Sequence, residues 1–145
     1  MRIIAEAEER FWAKVDASGD CWEWTASTVA SGYGNFWAGP GVWIRPHRFS
    51  WETLVGEIAP GLDLDHLCRN RGCVNPDHLE PVSRKTNLLR GFGTTARNAS
   101  KVYCPQGHPY SEENTTYRKR KGNWARRCRT CHRDQERKRY RENHC

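Results

Sequence analysis

Leu64-Asp65-His66-Leu67-Cys68-Arg69-Asn70-Arg71-Gly72-Cys73-Val74-Asn75-Pro76-Asp77-His78-Leu79-Glu80-Pro81-Val82, with Asn87 five residues on, is the stretch that decides the reading of this chain. It opens on Leu62-Asp63-Leu64-Asp65-His66, whose alternation of apolar and polar residues predicts a short strand. A loop rich in Arg, Asn, Gly and Cys follows, and Leu79-Glu80-Pro81-Val82 reads as a second short strand. Ser83 has the chemistry of an N-cap for a helix of about two turns that stops at Gly91. The order is strand, knuckle-like loop, strand, helix.

That order is the order of a ββα-metal unit, in which a His leaves the first strand and the helix supplies an oxygen ligand. A neutral imidazole can take a proton from water near pH 7, and Asp and Asn oxygens suit a hard divalent cation. Together these are the parts needed to hydrolyse a phosphodiester. An Asp beside a His is weak evidence alone, because a hydrogen-bonded structural His is the commoner case. The full string is far more specific.

Working outward, Pro46 suits the first turn of a helix running through Val55. The β-prone segments 21–25 and 33–37, with the glycine turns between and after them, predict a small meander reaching Ile44. The segment Glu6–Val15 reads as a short helix, Gly91–Ser100 as a small-residue linker, and 128–143 as a basic helix. The aromatic residues of 11–51 are expected in the core.

The chain of 145 residues is 37% hydrophobic, with a mean hydropathy of -0.93. A core this thin calls for staples, and seven Cys with six His can supply metal ligands. Seven Trp argue against a disordered chain. No apolar run approaches a membrane span and the N-terminus lacks a secretory pattern, which predicts a cytoplasmic protein with reduced cysteines. Residues 1–100 hold 11 Lys/Arg against 12 Asp/Glu, and residues 101–145 hold 13 against 5, so the whole positive excess lies at the C-terminal end. Such a block is the footprint of a polyanion binder; a solvated basic tail is the alternative.

The central string, with Cys21-Trp22-Glu23-Trp24, Gly32-Tyr33-Gly34 and His47-Arg48 upstream, resembles the HNH endonucleases, especially small phage-type members, over about residues 11–91. The letters His66, Asn75 and His78 spell H-N-H, but the family's offsets select His66, His78 and Asn87. The resemblance therefore implies His66 as general base, Asp65 and Asn87 as holders of one Mg2+ or Mn2+, and His78 in the middle position. It implies 5′-phosphate and 3′-hydroxyl products, and Arg48 as a phosphate contact, against a surface pair with Glu52. Asn75 is then a turn residue before Pro76.

Cys68, Cys73 and His78 look like three-quarters of a structural zinc site; buried cysteines without metal are the alternative. Similarity to the His-Cys box homing endonucleases implies Cys21 as the fourth ligand. A second set, Cys104-x3-His108 and Cys128-x2-Cys131, has the spacing of a closed tetrahedral Zn2+ site. Cys145 is left over as a free thiol. Between and beyond the second knuckles lie Arg118, Lys119, Arg120, Lys121, Arg126, Arg127, Arg129, Arg133 and Arg137, the expected DNA contacts, with Trp124 read as core.

The expectation is an α+β protein: a zinc-stapled ββα-metal (HNH) nuclease core over 1–95, and a basic zinc-ribbon-like module over 96–145. Its expected partner is double-stranded DNA, its cofactors one catalytic Mg2+ or Mn2+ and two structural Zn2+, and its place of action a phage-infected host cell. The alternative is a zinc-dependent DNA binder with a relic HNH core that does not cleave.

Overall fold

The chain divides into two units, Met1–Gly91 and Phe92–Cys145. A computed structural model describes residues 2–144; Cys145 lies outside them, as do the side chains of residues 2–5, Arg120 and Asn123. The first unit runs α1 (Arg2–Trp12), β1 (Val15–Asp16), β2 (Glu23–Trp24), β3 (Phe36–Gly39), β4 (Val42–Ile44), α2 (Pro46–Leu54), β5 (Leu62–His66), β6 (Leu79–Ser83) and α3 (Arg84–Arg90). The strands form two-stranded antiparallel ribbons: β1 with β2, β3 with β4, β5 with β6. This is the α+β class, with a strand–strand–helix unit at its C-terminal end.

The single meander expected up to Ile44 is instead two separate ribbons joined through an isolated bridge, Thr28 to Gly34. The free edge of β2 is taken instead by the knuckle, through the Glu23–Cys73 bridge and Trp24 N to the Gly72 carbonyl at 2.9 Å, and Gly34, which carries the other bridge, is tightly packed. A Cβ there would sit 2.6 Å from both Pro46 Cγ and Trp24 Cδ1. The backbone is pressed between the β2 tryptophan and the start of α2, where no larger residue fits.

Phe11 is fully buried at the centre of an aromatic core with Ala7, Trp24, Phe36 and Val74. Its ring lies 4.7 Å from Phe49 and 5.2 Å from Phe36, so α1, α2 and β3 meet on one side chain. A smaller cluster of Ile58, Leu64 and Leu79, flanked by Trp51 and Leu62, packs on one face of the β5–β6 ribbon. Register pairs Leu64 with Pro81, Asp65 with Glu80 and His66 with Leu79. Because strand side chains alternate, Leu62, Leu64 and His66 share the apolar face while Asp63 and Asp65 face the other way. Ser83 accepts from Thr86 N at 3.1 Å and caps α3, which ends at Gly91.

The second unit contains α4 (Thr94–Ser100), the β7–β8 hairpin (Thr115–Arg120 with Asn123–Cys128) and α5 (Arg129–His144). Two expectations are corrected here. The stretch read as a linker holds a helix, α4, whose Asn98 carbonyl accepts from Arg126 at 2.7 Å. Trp124, read as core, is 72% exposed. The hairpin turns at Lys121 and Gly122, both with positive φ (47° and 82°), the geometry of a two-residue turn that matches strand twist. Among the described residues no helix is long and apolar enough to cross a membrane.

Candidate active site and metal centres

His66 ends β5 and is buried. Its Nε2 lies 3.1 Å from the Cys73 carbonyl. A carbonyl only accepts, so this bond places the ring proton on Nε2 and leaves the Nδ1 lone pair open. Burial lowers the affinity of the ring for a proton, outweighing the Cys73 bond and the Asp65 charge, which act the other way. The imidazole is therefore neutral and held in one tautomer, the state a general base requires.

Asp65 faces α3 and is equally buried. Its Oδ1 accepts from Arg69 at 2.9 Å and its Oδ2 from Arg90 at 3.5 Å. Arg69 reaches it from a left-handed backbone conformation, φ 62°, which places its guanidinium back over the strand it has just left. Asn87, one turn before Arg90 on α3, donates Nδ2 to Asp63 Oδ2 at 3.4 Å and so keeps its Oδ1 for another partner. Arg90 also pairs with Glu80. Asp63, Asp65, Glu80 and Asn87 thus bring carboxylate and amide oxygens to one face, the donor type a hard divalent cation takes, with each carboxylate matched in this structure by an arginine or an amide. Arg48 lies on α2, where it pairs with Glu52 at 3.7 Å.

Asn75 belongs to neither group. It is buried, its Oδ1 accepts from Asp77 N, and its Nδ2 donates to the Asp20 carbonyl at 3.0 Å. It caps a single 3-10 turn, Pro76–His78, and ties it to the loop before β2.

Around that loop Cys21, Cys68, Cys73 and His78 converge, with all ligand atoms within 4.8 Å of one another. His78 Nδ1 is 3.5 Å from Cys21 Sγ and 3.6 Å from Cys73 Sγ. A tetrahedron built on zinc–sulfur bonds has edges of about 3.7 Å, so the set fits zinc. Burial raises the Cys21 thiol and pushes Cys73 up to about 12. Such sulfurs become thiolates only against a cation. Asp20 Oδ2 stands 3.5 Å from His78 Nε2, the outer carboxylate that orients a ligating imidazole.

In the second unit Cys104, His108, Cys128 and Cys131 form an equally tight set. Cys104 Sγ is 3.6 Å from Cys131 Sγ and 3.5 Å from His108 Nδ1. Burial raises Cys128, but donors outweigh it: the Cys131 N–H and the Asn114 amide hold the thiol down at about 7. Burial and the neighbouring sulfurs push Cys131 up to about 12. These four ligands are a donor set that a tetrahedral Zn2+ would hold as thiolates and imidazole. Beside this centre Arg118, Lys119 and Lys121 stand exposed on the hairpin, and Arg127 is half-buried. Arg126 stacks on Tyr110 at 3.9 Å. Arg129, Arg133 and Arg137 are exposed and follow one another at four-residue spacing along α5, which puts them in one stripe.

Besides Asp63, Arg69 and Arg90, three further residues at these sites carry no role in the sequence reading. His47 is buried with its ring 4.8 Å from His66, and burial, then His66 and Arg48, push it down to about 3. Tyr33 completes a triangle with the two imidazoles, at 5.5 and 5.8 Å, under the Arg71 guanidinium. The Gly32-Tyr33-Gly34 and His47-Arg48 groups were the available signal. Asn114 carried none: it bonds the Pro109 carbonyl, Cys128 Sγ and Thr130 N, fastening the first knuckle to the start of α5.

The first unit thus ends in a strand–strand–helix arrangement whose first strand finishes on Asp65-His66 and whose helix carries Asn87. Residues 45–89, from the residue before α2 into α3, match the family model described as HNH endonuclease. The resemblance to that family therefore holds over this segment. Among curated proteins, the chain is 37% identical to "Protein 7.7" of Escherichia phage T7 over 68 residues, 47% of this chain and 52% of that protein. It is 36% identical to "Protein 2.8" of the same phage over 75 residues, 51% of this chain and 50% of that one. The "Uncharacterized gene 5.3 protein" of Enterobacteria phage T3 is 39% identical over 44 residues, 30% of this chain and 44% of that protein. The chain thus spans about half the length of the curated relatives it matches. No solved structure matches it.

Proposed function

We propose that this protein is a metal-dependent DNA endonuclease, with catalysis in the first unit and duplex DNA held by the basic second unit. The observation that carries the reading is His66: buried, neutral, its Nε2–H on the Cys73 carbonyl, beside Asp65 in the segment similar to HNH endonucleases. His66 Nδ1 takes a proton from water as the water oxygen attacks phosphorus in line. The bond from phosphorus to the 3′ oxygen breaks, solvent protonates the departing oxygen, and 5′-phosphate and 3′-hydroxyl ends result. Asp65 and Asn87 would hold one Mg2+ or Mn2+, which would supply charge to polarise the phosphate and stabilise the leaving oxygen. The Cys73 carbonyl stabilises the imidazolium once it forms, and His47, kept neutral by burial, adds no competing charge beside it. Arg48 is the candidate contact to an adjacent phosphate. Each unit is stapled by one Zn2+, in place of a larger core.

One observation favours a second reading, a zinc-dependent DNA binder that does not cleave. Both oxygens of Asp65 are already matched by arginines, and a binder would need nothing further there. Zinc-loaded protein incubated with supercoiled plasmid, with and without added Mg2+, separates the two. The nuclease nicks or linearises only with the divalent ion, and His66→Ala abolishes this while leaving DNA affinity nearly unchanged. A folded wild-type protein that binds plasmid and leaves it supercoiled refutes the first reading.

A further inference from the structure

We infer that the β7–β8 hairpin is a stacking platform for unpaired DNA bases, a role separate from phosphate binding; this rests on the reading that the second unit contacts DNA. Register pairs Tyr117 with Arg126 and Lys119 with Trp124. Directly paired residues of antiparallel strands share a face, so Tyr117, Lys119, Trp124 and Arg126 lie together. Arg118, Ala125 and Arg127 lie on the other face. Trp124 is 72% and Tyr117 63% exposed. Among the described residues neither ring makes a hydrogen bond, a ring–ring contact or a cation–π contact. These are two large aromatic faces with nothing laid on them.

Their spacing is informative. Tyr117 and Trp124 are diagonal neighbours across the ladder, which sets their backbones roughly 7–8 Å apart. Side chains stand away from a strand pair, and rings at about that separation admit one flat base between them. Lys119 stands opposite Trp124 and Lys121 occupies the turn beyond it, both exposed, while the Arg126 guanidinium already lies flat on Tyr110 at 3.9 Å. Cations interleaved with open rings match a polyanion that also presents planar apolar faces. Duplex DNA offers the charge but covers its base faces; a single strand offers both. The hairpin therefore grips the unpaired part of a substrate, leaving backbone contact to the stripe on α5.

The test uses the full-length, zinc-loaded protein and fluorescence anisotropy with a labelled oligothymidylate, the matching duplex and the equivalent oligouridylate, each over a salt series. Loss of one stacked base costs roughly 5- to 150-fold in affinity. Trp124→Ala should lose that much on the single strand, keep its salt slope and stay within about twofold of wild type on the duplex. Trp124→Phe should recover most of the loss. Lys119→Gln should instead flatten the single-strand slope by about 0.7. Circular dichroism and zinc content identify any variant that fails to fold, and Tyr117→Ala then serves in its place. Equal affinity of Trp124→Ala and wild type on the single strand overturns the proposal, as does an equal loss on the duplex. Tighter binding of oligouridylate overturns the assignment to DNA. Wild-type protein that binds none of the three in a salt-dependent way removes the DNA reading of the second unit as well.

Discussion

The two asparagines Asn75 and Asn87 give the positional assignment its sharpest test, because the structure predicts opposite phenotypes for them. Asn75→Ala removes the cap on the Pro76–His78 turn, worth about 1 kcal/mol. It also removes the buried bond to the Asp20 carbonyl, worth about 1 kcal/mol more. The sum of about 2 kcal/mol should lower the melting midpoint of the first unit by about 8–16 °C. The His66 tautomer depends on a backbone carbonyl at Cys73 and not on the Asn75 side chain, so cleavage well below the midpoint should stay near wild type. Asn87→Ala loses only a 3.4 Å contact from a solvent-facing helix, so its midpoint should move by a few degrees at most. Its cleavage should nevertheless fall roughly a hundredfold or more, since the proposed function makes Asn87 a ligand to the divalent ion. Tryptophan-fluorescence melts paired with plasmid nicking at 15–20 °C below the lower midpoint, a window set by those shifts, read both quantities. A folded, zinc-loaded Asn75→Ala protein that is dead, beside an active Asn87→Ala protein, would show that the middle asparagine and not the helix asparagine carries the chemistry.

Elemental analysis should find two Zn per chain, with Cys73→Ser and Cys104→Ser each removing one, and chelation should unfold both units; a wild-type stoichiometry of one refutes the four-ligand set that includes Cys21. Gly34→Ala should cost about 1–3 kcal/mol, because its Cβ has no room against Pro46 and Trp24; an unchanged urea midpoint would mean that this contact is looser than described.

The strand–strand–helix unit was legible because local signals agreed. The Leu-Asp-Leu-Asp alternation, the Ser83 cap and the Gly91 stop all act within a few residues, and the observed bounds of β5 and α3 follow them. Where the outcome depended on distant packing, the sequence was silent or misleading. Helix α4, Thr-Thr-Ala-Arg-Asn-Ala-Ser, has no apolar stripe to announce it, and its described tie to the rest of its unit is a side chain from β8. Trp124 is apolar, and hydrophobicity alone cannot say that a hairpin will hold it in water. The meander did not form because residues fifty positions on, Gly72 and Cys73, take the edge of β2. His47 was quoted for its neighbour Arg48, yet only the folding of α2 over β5 reveals that its ring rests on His66. For the candidate sites, spacing identified ligand types and could not show which atoms meet; Asp63, Arg69, Arg90 and Asn114 enter through tertiary geometry alone.

Cys73 has two duties at once: its sulfur belongs to the first zinc set and its carbonyl to His66. That covalent coincidence imposes an assembly order. During synthesis His66 leaves the ribosome before Cys73 and His78, so it waits on residues still to come. Its ring acquires an oriented proton only when the knuckle closes, and on the proposed reading that closure would wait for a zinc ion taken from the surroundings. On that reading a newly made chain would be born inert, and its maturation clock would run at the rate of zinc capture. For a protein that would cut DNA, this separates the moment of translation from the moment of harm.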